Sequence, residues 1–240
     1  MEFHVYETAQ AACEAAALLF AAQITRKGDS VLGLATGSTP IPTYEKLVEW
    51  NRQGIIDFSR VRSYNLDEYV GIDHANPLSY HAFMDENLFS KVNIDKANTH
   101  VPSGSTNEDG KAYDAEIAAA GGIDIQLLGI GRNGHIGFNE PAAEFTYGTH
   151  IVTLAEDTID ANARFFDSAD EVPRSAISMG VGNIMSARCV VLVATGAGKA
   201  EAVYKTICGP VTPEVPASIL QLHPNCVILA DREAAALMQK

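Results

Sequence analysis

The chain has 240 residues, of which 47% are hydrophobic, and this length suits one large core, so we expect a single domain spanning residues 1–240. The formal net charge of −13 argues against a nucleic-acid partner, because binding a phosphate backbone requires a basic face. Apolar runs stay far below the roughly 18 residues of a membrane span, and the first residues lack the features of a signal peptide, so we expect a cytoplasmic protein with no membrane partner.

Short apolar runs rich in β-branched residues alternate with stretches of helical character along the chain. The runs, in chain order, are FHVY, SVLGLA, RVRSYNL, IDIQLLGIG, HIVTL, CVVLVAT and NCVILAD. The first helix is predicted between Thr8 as its cap and Gly28 as its end, and others in TYEKLVEWNRQG, SYHAFMDENLF, EDGKAYDAEIAAAGG and KAEAVYKTICG. Continuous apolarity is typical of strands buried on both faces, so the pattern predicts an α/β fold with a doubly wound, mostly parallel, Rossmann-like sheet flanked by helices. Ligands of such sheets bind beyond the carboxyl ends of the strands, so the loops that follow strands are the places to search.

The loop Thr36–Pro40, which we call the anion loop, follows the second apolar run and precedes a predicted helix. Gly37 allows a tight turn, Ser38 and Thr39 supply hydroxyl groups, and Pro40 suits the first helical turn. The unpaired N–H groups and the positive end of the helix would then face one point, which predicts an anion site. An ordinary helix cap is an equally good interpretation of these residue types.

Asp67 and Glu68 follow the third apolar run. Adjacent residues of an extended chain point to opposite sides, so only one of the two carboxylates can enter the crevice. Asp67 follows the strand most directly and is the better candidate. A single Asp at a strand end is more often a helix cap or part of a solvated turn, but the neighbouring anion loop favours a functional role.

The sequence GIGRNGHIGFNEP, residues 129–141, follows the fourth apolar run, and we call it the histidine loop. It contains the GxGxxG pattern of dinucleotide-binding proteins, but Gly137 interrupts the helix that this fingerprint requires, so we expect no nicotinamide cofactor. The loop brings Asn133, His135 and Glu140 near one strand end. This trio fits a general base oriented by hydrogen-bonding partners, although a loop histidine is more often structural or exposed.

Two cationic residues are candidates for holding an anion. The sequence GAGKAEA resembles a phosphate-binding P-loop but has Val193 and Ala200 where that motif needs Gly and Ser or Thr, so we expect no nucleotide site. Lys199 still lies at a strand-to-helix turn, and Arg164 is a second candidate, although an exposed helical Arg is the commoner case. Residues 155–172 carry Arg164 after a polar start and are expected to act as a lid.

The cysteines and histidines give little support to a metal site. The four cysteines are scattered without a CxxC pair, which argues against structural zinc or a redox dithiol and favours buried free thiols. A site formed by Asp73, His74 and His81 stays an alternative, but it offers no i, i+4 pair of ligands. We therefore expect no metal.

Five motifs in this chain resemble those of the glucosamine-6-phosphate deaminases, also called glucosamine-6-phosphate isomerases. In chain order they are LGLATGSTP, YNLDEYVGI, GIGRNGHIGFNEP, ANARFF and TGAGKAEAV, and the resemblance covers nearly the entire chain. The resemblance implies a cofactor-free enzyme of amino-sugar catabolism. Its substrates would be D-glucosamine 6-phosphate and water, and its products D-fructose 6-phosphate and ammonia.

The resemblance also implies a role for each matched position. Asp67 would take the proton from C2 of the sugar and deliver it to C1. His135 would assist ring opening, with Glu140 completing its proton relay. The residues that would hold the phosphate are Thr36, Gly37, Ser38, Thr39, Arg164 and Lys199.

The chain departs from the family pattern at two places. Some well-known members have Asp where Asn133 stands, so we expect His135 to have an amide partner that orients its ring but stabilises an imidazolium less strongly. His150 and Val152 stand where activator-regulated members have basic residues. We therefore expect no activation by N-acetylglucosamine 6-phosphate.

Two other functions are compatible with this type of fold. A 6-phosphogluconolactonase has a similar histidine loop, but there the His is typically followed by a Ser-Leu-Phe-Pro-like stretch, whereas this chain has GFNEP. The effector domain of a sugar-responsive transcription regulator would need a DNA-binding module, and no helix-turn-helix precedes the first strand of this acidic chain. We therefore expect the deaminase. The sequence is compatible with a homo-oligomer but does not assign one.

Overall fold

The protein is built around two β-sheets, and the computed structural model describes residues 1–154 and 173–238. The strands, in chain order, are β1 (Glu2–Tyr6), β2 (Val31–Leu34), β3 (Arg62–Asn65), β4 (Asp67–Tyr69), β5 (Thr99–His100), β6 (Ile125–Leu128), β7 (His150–Thr153), β8 (Ser175–Ser178), β9 (Val190–Ala194) and β10 (Cys226–Asp231). Seven of these strands form the large sheet in the order β1-β10-β9-β6-β2-β3-β5, and every pair in it is parallel. The predicted mostly parallel sheet is confirmed.

The strand order of the large sheet reverses between β2 and β6. From β2 the chain moves outward through β3 to β5, and it then returns to the other side of β2 with β6 before it moves outward again to β9 and β10. In doubly wound sheets the crevice for a ligand lies outside the carboxyl ends of the strands at this reversal. The topology therefore predicts a ligand site at the loops after β2 and β6, which are the anion loop and the histidine loop.

The central strands are buried along their whole length. Every residue of β2, β6 and β9 is buried, as expected for parallel strands covered on both faces. This burial explains why these strands are continuous apolar runs in the sequence rather than alternating patterns. It also gives the three loops that follow these strands a rigid base.

A second, small sheet has the order β4-β8-β7 and is antiparallel. The sequence pattern does not predict this sheet, because it indicates a loop at residues 67–69 and a strand of the main sheet at HIVTL. Since β4 has only three residues and two of them are acidic, it carries no hydrophobic period that could reveal a strand. The catalytic candidate Asp67 thus lies in a strand.

Helices cover the large sheet. They are α1 (Ala9–Arg26), α2 (Ile41–Arg52), α3 (Tyr80–Met84, continued by a π-helical turn Asp85–Phe89), α4 (Asn107–Ala119), α5 (Val181–Ser186) and α6 (Ala200–Cys208). The hydroxyl group of Thr8 caps α1 as predicted, but the helix ends at Arg26 rather than at Gly28. Helix α1 packs against α2, β9 and β10. In the described ranges, none of the helices has the length and apolarity needed to cross a membrane.

The cysteines are all free, and their environments differ. Cys13 and Cys226 are buried, Cys189 is half-buried, and Cys208 is exposed. The expectation of buried thiols is therefore right for two of the four. Burial raises the pKa of the Cys226 thiol to about 12, so this side chain is a neutral, packed group at physiological pH.

Candidate active site

The anion loop connects β2 to α2 and leaves the amino end of that helix open. Gly37 has a φ of +92°, a left-handed conformation that suits glycine and turns the chain between the strand and the helix. Pro40 is the last residue before α2, and no side chain caps the first turn of the helix. Ser38 and Thr39 therefore do not act as ordinary helix caps, and an uncapped first turn of a helix is a position that can bind an anion.

Asp67 is buried at the start of β4, with 6% of its surface exposed. Burial raises the pKa of its carboxyl from 3.8 to about 8, and the charge of the adjacent Glu68 acts in the same direction. A Cβ atom built at Gly137 would lie 3.5 Å from Oδ2 of Asp67, so the carboxylate lies against the histidine loop. The register of β4 and β8 pairs Asp67 with Ser178, whose hydroxyl accepts a hydrogen bond of 3.0 Å from the N–H of Phe138. The small sheet and the histidine loop therefore meet at this carboxylate.

Glu68 is fully buried and has a different set of partners. Its carboxylate accepts hydrogen bonds of 2.9, 3.0 and 3.1 Å from the backbone N–H groups of Tyr69, Tyr80 and His81. It also lies 3.0 Å from Nδ1 of His81. Two of these N–H groups belong to the first turn of α3, so Glu68 anchors the start of that helix. The structure thus separates the two adjacent acids, because Asp67 faces the histidine loop and Glu68 holds α3.

The predicted trio of the histidine loop is assembled in the structure. Nδ1 of His135 lies 3.2 Å from Oε2 of Glu140, and Nδ2 of Asn133 donates a hydrogen bond of 2.7 Å to the same oxygen. The imidazole packs so closely on Gly131 that a Cβ atom there would lie 2.4 Å from the ring. A carboxylate partner at Nδ1 keeps a proton on that nitrogen and leaves Nε2 available to exchange a proton with a ligand.

Asn133 does not have the partner that the sequence suggested. Its Oδ1 accepts a hydrogen bond of 3.2 Å from the backbone N–H of His135, and its amide nitrogen donates to Glu140. The expectation of an amide partner for the His135 ring is therefore wrong. The ring is oriented by Glu140, and Asn133 orients Glu140.

Tyr80 belongs to this site, and sequence reasoning missed it. Its ring lies 4.9 Å from the ring of Tyr69 and 6.2 Å from that of Phe138. Its hydroxyl group interacts with the hydroxyl groups of Tyr69 and Thr36, and burial raises its pKa well above the usual range. Tyr80 therefore connects the anion loop to the surroundings of Asp67. In the sequence it is one aromatic residue in a helical pattern, and no local signal separates it from a core residue.

Lys199 lies at the carboxyl side of β9, the strand next to β6. It ends a short 3-10 turn, Ala197–Lys199, and precedes the first residue of α6. The turn is held by Asp231, whose carboxylate accepts a hydrogen bond of 2.9 Å from the N–H of Gly196. The structure thus brings the loops after β2, β6 and β9 to the same edge of the sheet. Arg164 and the expected lid, residues 155–172, lie outside the described residues.

The alternative metal site around Asp73, His74 and His81 has no support. Within residues 1–154 and 173–238, no group of three or more His, Cys, Asp or Glu side chains is arranged to hold a metal ion. The rings of His74 and His81 stack with their centroids 3.6 Å apart. His81 is also engaged with Glu68, as described above, so its role in the structure is to anchor α3.

Comparison with known sequences identifies a family and many relatives. A family model described as glucosamine-6-phosphate isomerases/6-phosphogluconolactonase matches residues 5–228. A glucosamine-6-phosphate deaminase of Clostridium botulinum (strain Alaska E43 / Type E3) is 52% identical over 241 residues, which cover 99% of this chain and 97% of the relative. A glucosamine-6-phosphate deaminase of Lachnoclostridium phytofermentans is 57% identical over 217 residues, which cover 89% of this chain and 92% of the relative.

Comparison with solved structures gives a consistent result. A structure of a monomeric glucosamine-6-phosphate deaminase superimposes with a TM-score of 0.96 and 41% identity, covering 99% of this chain and 100% of that one. A 6-phosphogluconolactonase of Thermotoga maritima superimposes with a TM-score of 0.76 but only 18% identity, covering 96% and 99% of the two chains. The second similarity shows a shared fold alone.

Proposed function

The chain belongs to the glucosamine-6-phosphate isomerase/6-phosphogluconolactonase family, and we infer from its deaminase relatives that it converts D-glucosamine 6-phosphate and water into D-fructose 6-phosphate and ammonia. It is thus a hydrolase that acts on a C–N bond. The observation that carries the proposed mechanism is the buried carboxylate of Asp67, which lies against the histidine loop, and this loop follows β6 at the reversal point of the sheet. A base in this position can reach a sugar bound across the loops after β2 and β6.

Asp67 is proposed as the base that moves a proton between two carbon atoms. In the open-chain form of the substrate, the C2 proton lies next to the C1 aldehyde and is the most acidic C–H of the sugar. Asp67 removes it while the aldehyde oxygen takes up a proton, which gives an enolamine. Asp67 then delivers the proton to C1 while the amino nitrogen gives up a proton, which leaves a hydroxyl group at C1 and an imine at C2. Water adds to this imine, and ammonia leaves. A desolvated carboxylate whose pKa is about 8 is a much stronger base than an exposed Asp, and this supports the assignment.

His135 and Glu140 are proposed to open the sugar ring. Ring opening requires a proton to leave the C1 hydroxyl group and another to reach the ring oxygen. Nε2 of His135 can shuttle this proton, because the contact of Nδ1 with Glu140 fixes the orientation of the ring. Asn133 is proposed to hold Glu140 in place through its hydrogen bond of 2.7 Å.

The phosphate is proposed to bind between the anion loop and Lys199. The open first turn of α2 and the hydroxyl groups of Thr36, Ser38 and Thr39 supply donors, and Gly37 lets the backbone come close. Arg164 is proposed as a second cation for the phosphate. Binding energy from this remote group would hold the open chain over Asp67.

The test is direct detection of products. Purified protein, without added metal or nucleotide, is expected to release fructose 6-phosphate and ammonia in equal amounts from glucosamine 6-phosphate. The same preparation is expected to leave the rate of 6-phosphogluconolactone hydrolysis at background. Lactone hydrolysis without ammonia release would replace the proposed function by the other activity named for the family.

Three further properties belong to this proposal. A small sugar phosphate is the partner, and neither nucleic acid nor a membrane is proposed as one. We propose a cytoplasmic location and one domain for residues 1–240. No oligomeric state is assigned, and one similar solved structure is that of a monomer.

A further inference from the structure

Arg132 joins two of the loops that surround the site. It belongs to the histidine loop, directly before Asn133, and its side chain reaches across to the turn after β9. A Cβ atom built at Gly198 would lie 3.4 Å from Nε and 3.9 Å from Cζ of Arg132. The guanidinium therefore lies beside the residue that precedes Lys199.

The strand order explains why this position matters for an anion. The strands β9, β6 and β2 are neighbours in that order, and adjacent strands lie about 4.8 Å apart. A phosphate held by both the anion loop after β2 and Lys199 after β9 must therefore lie over the end of β6. The histidine loop begins at that end, and Arg132 is its exposed cation.

The charge of Arg132 is not neutralised by the described part of the chain. Some of the other arginines pair with carboxylates, such as Arg188 with Asp124 at 3.0 Å and Arg232 with Glu7 at 2.5 Å. Arg132, in contrast, forms no hydrogen bond or ion pair with residues 1–154 or 173–238. In a chain with a formal net charge of −13, a guanidinium without such a partner beside the proposed anion site is a ready phosphate ligand.

We propose that Arg132 is a further substrate-binding residue, which contacts the phosphate of the sugar phosphate together with Lys199. The proposal rests on the proposed function, since it assumes a phosphorylated substrate. The planar fork of a guanidinium can donate two hydrogen bonds to one phosphate, which distinguishes it from the point charge of a lysine. Arg132 would act on binding and would not take part in proton transfer.

The experiment compares R132Q and R132K with the wild-type enzyme. Loss of a charge-assisted hydrogen bond predicts that R132Q raises KM for glucosamine 6-phosphate about tenfold or more, with kcat within about threefold of wild type. The inhibition constant of inorganic phosphate as a competitive inhibitor should rise by a similar factor. R132K keeps the positive charge but loses the two-pronged hydrogen-bonding group of the guanidinium. Its KM should therefore lie between those of wild type and R132Q.

Two controls separate this role from general effects. R52Q makes the same change of charge at the far end of α2, a helix of 12 residues that extends about 18 Å away from the anion loop, and should leave KM unchanged. With D-glucosamine, which has no phosphate, R132Q and wild type should have the same kcat/KM. Because Arg132 is exposed and has no described partner, R132Q should unfold at the wild-type temperature.

The outcomes are distinguishable from failure of the proposed function. If wild type releases no ammonia from glucosamine 6-phosphate, the proposed function fails. If wild type is active but R132Q has the wild-type KM and the wild-type phosphate inhibition constant, the role of Arg132 is wrong. A fall in kcat with unchanged KM would also overturn it, because that result would assign Arg132 to the chemistry or to the shape of the histidine loop.

Discussion

Glu68 raises the pKa of its chain neighbour Asp67, although it makes its own hydrogen bonds to the start of α3. Desolvation is the larger cause of the shift, and the charge of Glu68 adds to it. The Glu68 carboxylate accepts hydrogen bonds from three backbone N–H groups, which hold it beside Asp67. The fold thus places a carboxylate with three backbone hydrogen bonds next to a desolvated one, and the desolvated Asp67 is a stronger base than an ordinary Asp.

Replacement of Asp67 by Asn tests the base directly. The amide keeps the shape of the side chain but cannot accept the C2 proton, so kcat is expected to fall about 10² to 10⁴-fold while KM changes little. Steady-state kinetics with glucosamine 6-phosphate measure both constants. Near-wild-type turnover in a variant that still binds the substrate would remove Asp67 from this role.

The same variant is expected to be more stable than wild type at alkaline pH. The folded-state pKa of Asp67 is raised, so between about pH 4 and pH 8 the folded chain binds a proton that the unfolded chain lacks. The free energy of unfolding of the wild type therefore falls as the pH rises through this window. Asn is neutral at every pH, so the D67N variant does not lose stability in this way as the pH rises. Thermal unfolding should show a higher Tm for D67N than for wild type at pH 8.5, and a difference that shrinks toward pH 4. A difference that does not depend on pH would contradict the shift.

The pH dependence of kcat/KM is expected to report the same group. The proposed base must be ionised to accept a proton, so kcat/KM should rise about tenfold per pH unit on the acid side and level off above about pH 8. The E68Q variant lacks the neighbouring charge, so the pKa of Asp67 should fall. The inflection of the plot of kcat/KM against pH should then move to lower pH. E68Q should also be less stable by about 1–3 kcal/mol, because N–H groups at the start of α3 lose a charged acceptor.

Two comparisons make this pH experiment specific. Ionisations of the substrate are the same for both enzymes, so a shift between wild type and E68Q belongs to the protein. K199Q should raise KM but keep the wild-type inflection, because Lys199 is proposed to act on the phosphate. An inflection that is identical in wild type and E68Q would show that Glu68 does not tune Asp67.

A role of His135 in ring opening can be separated from a role in C–H cleavage by isotope effects. In H135Q we expect kcat to fall about 10² to 10⁴-fold and ring opening to become slower than removal of the C2 proton. The primary isotope effect with substrate deuterated at C2 should then approach 1. D67N is the contrasting variant, because there C–H cleavage limits the rate and the full isotope effect should appear. A large isotope effect in H135Q would show that the substitution slows cleavage of the C2–H bond rather than ring opening.

Activation by N-acetylglucosamine 6-phosphate is expected to be absent. His150 lies in β7 with its Nδ1 facing the carbonyl oxygen of Gly148 at 3.0 Å, and Val152 of the same strand is a small apolar residue. Neither position supplies the permanent cation that a second sugar phosphate would need. Saturation curves with and without the compound should superimpose. A clear shift to lower substrate concentration would contradict this prediction.

The sequence predicted the parts of the site that lie at the ends of long buried strands. The anion loop, the histidine loop and Lys199 follow β2, β6 and β9, and each of these strands is a continuous apolar run. Because the strands of a parallel sheet run in the same direction, the loops that follow them all lie at one edge of the sheet. This is why the pattern of apolar runs alone is enough to group residues that are far apart along the chain.

The features that the sequence did not predict depend on tertiary contacts. Asp67 lies in a strand only because β8 pairs with it, and three residues leave no periodic pattern to detect. Tyr80 reaches Thr36 only because Glu68 fixes the start of α3. The partner of the His135 ring depends on which of two nearby polar side chains faces Nδ1, and sequence spacing does not decide such a question.

The position of Asp67 in β4, rather than in a free loop, has a stereochemical consequence. Functional groups on strands are held more precisely than those on loops, so in its proposed role this carboxylate would stay on one side of the sugar chain while the substrate reacts. A single fixed carboxylate must then take and return hydrogen from the same face of the planar intermediate. The proposed role of Asp67 therefore implies a suprafacial migration from C2 to C1, so that one particular hydrogen at C1 of the product is the one delivered by this carboxylate.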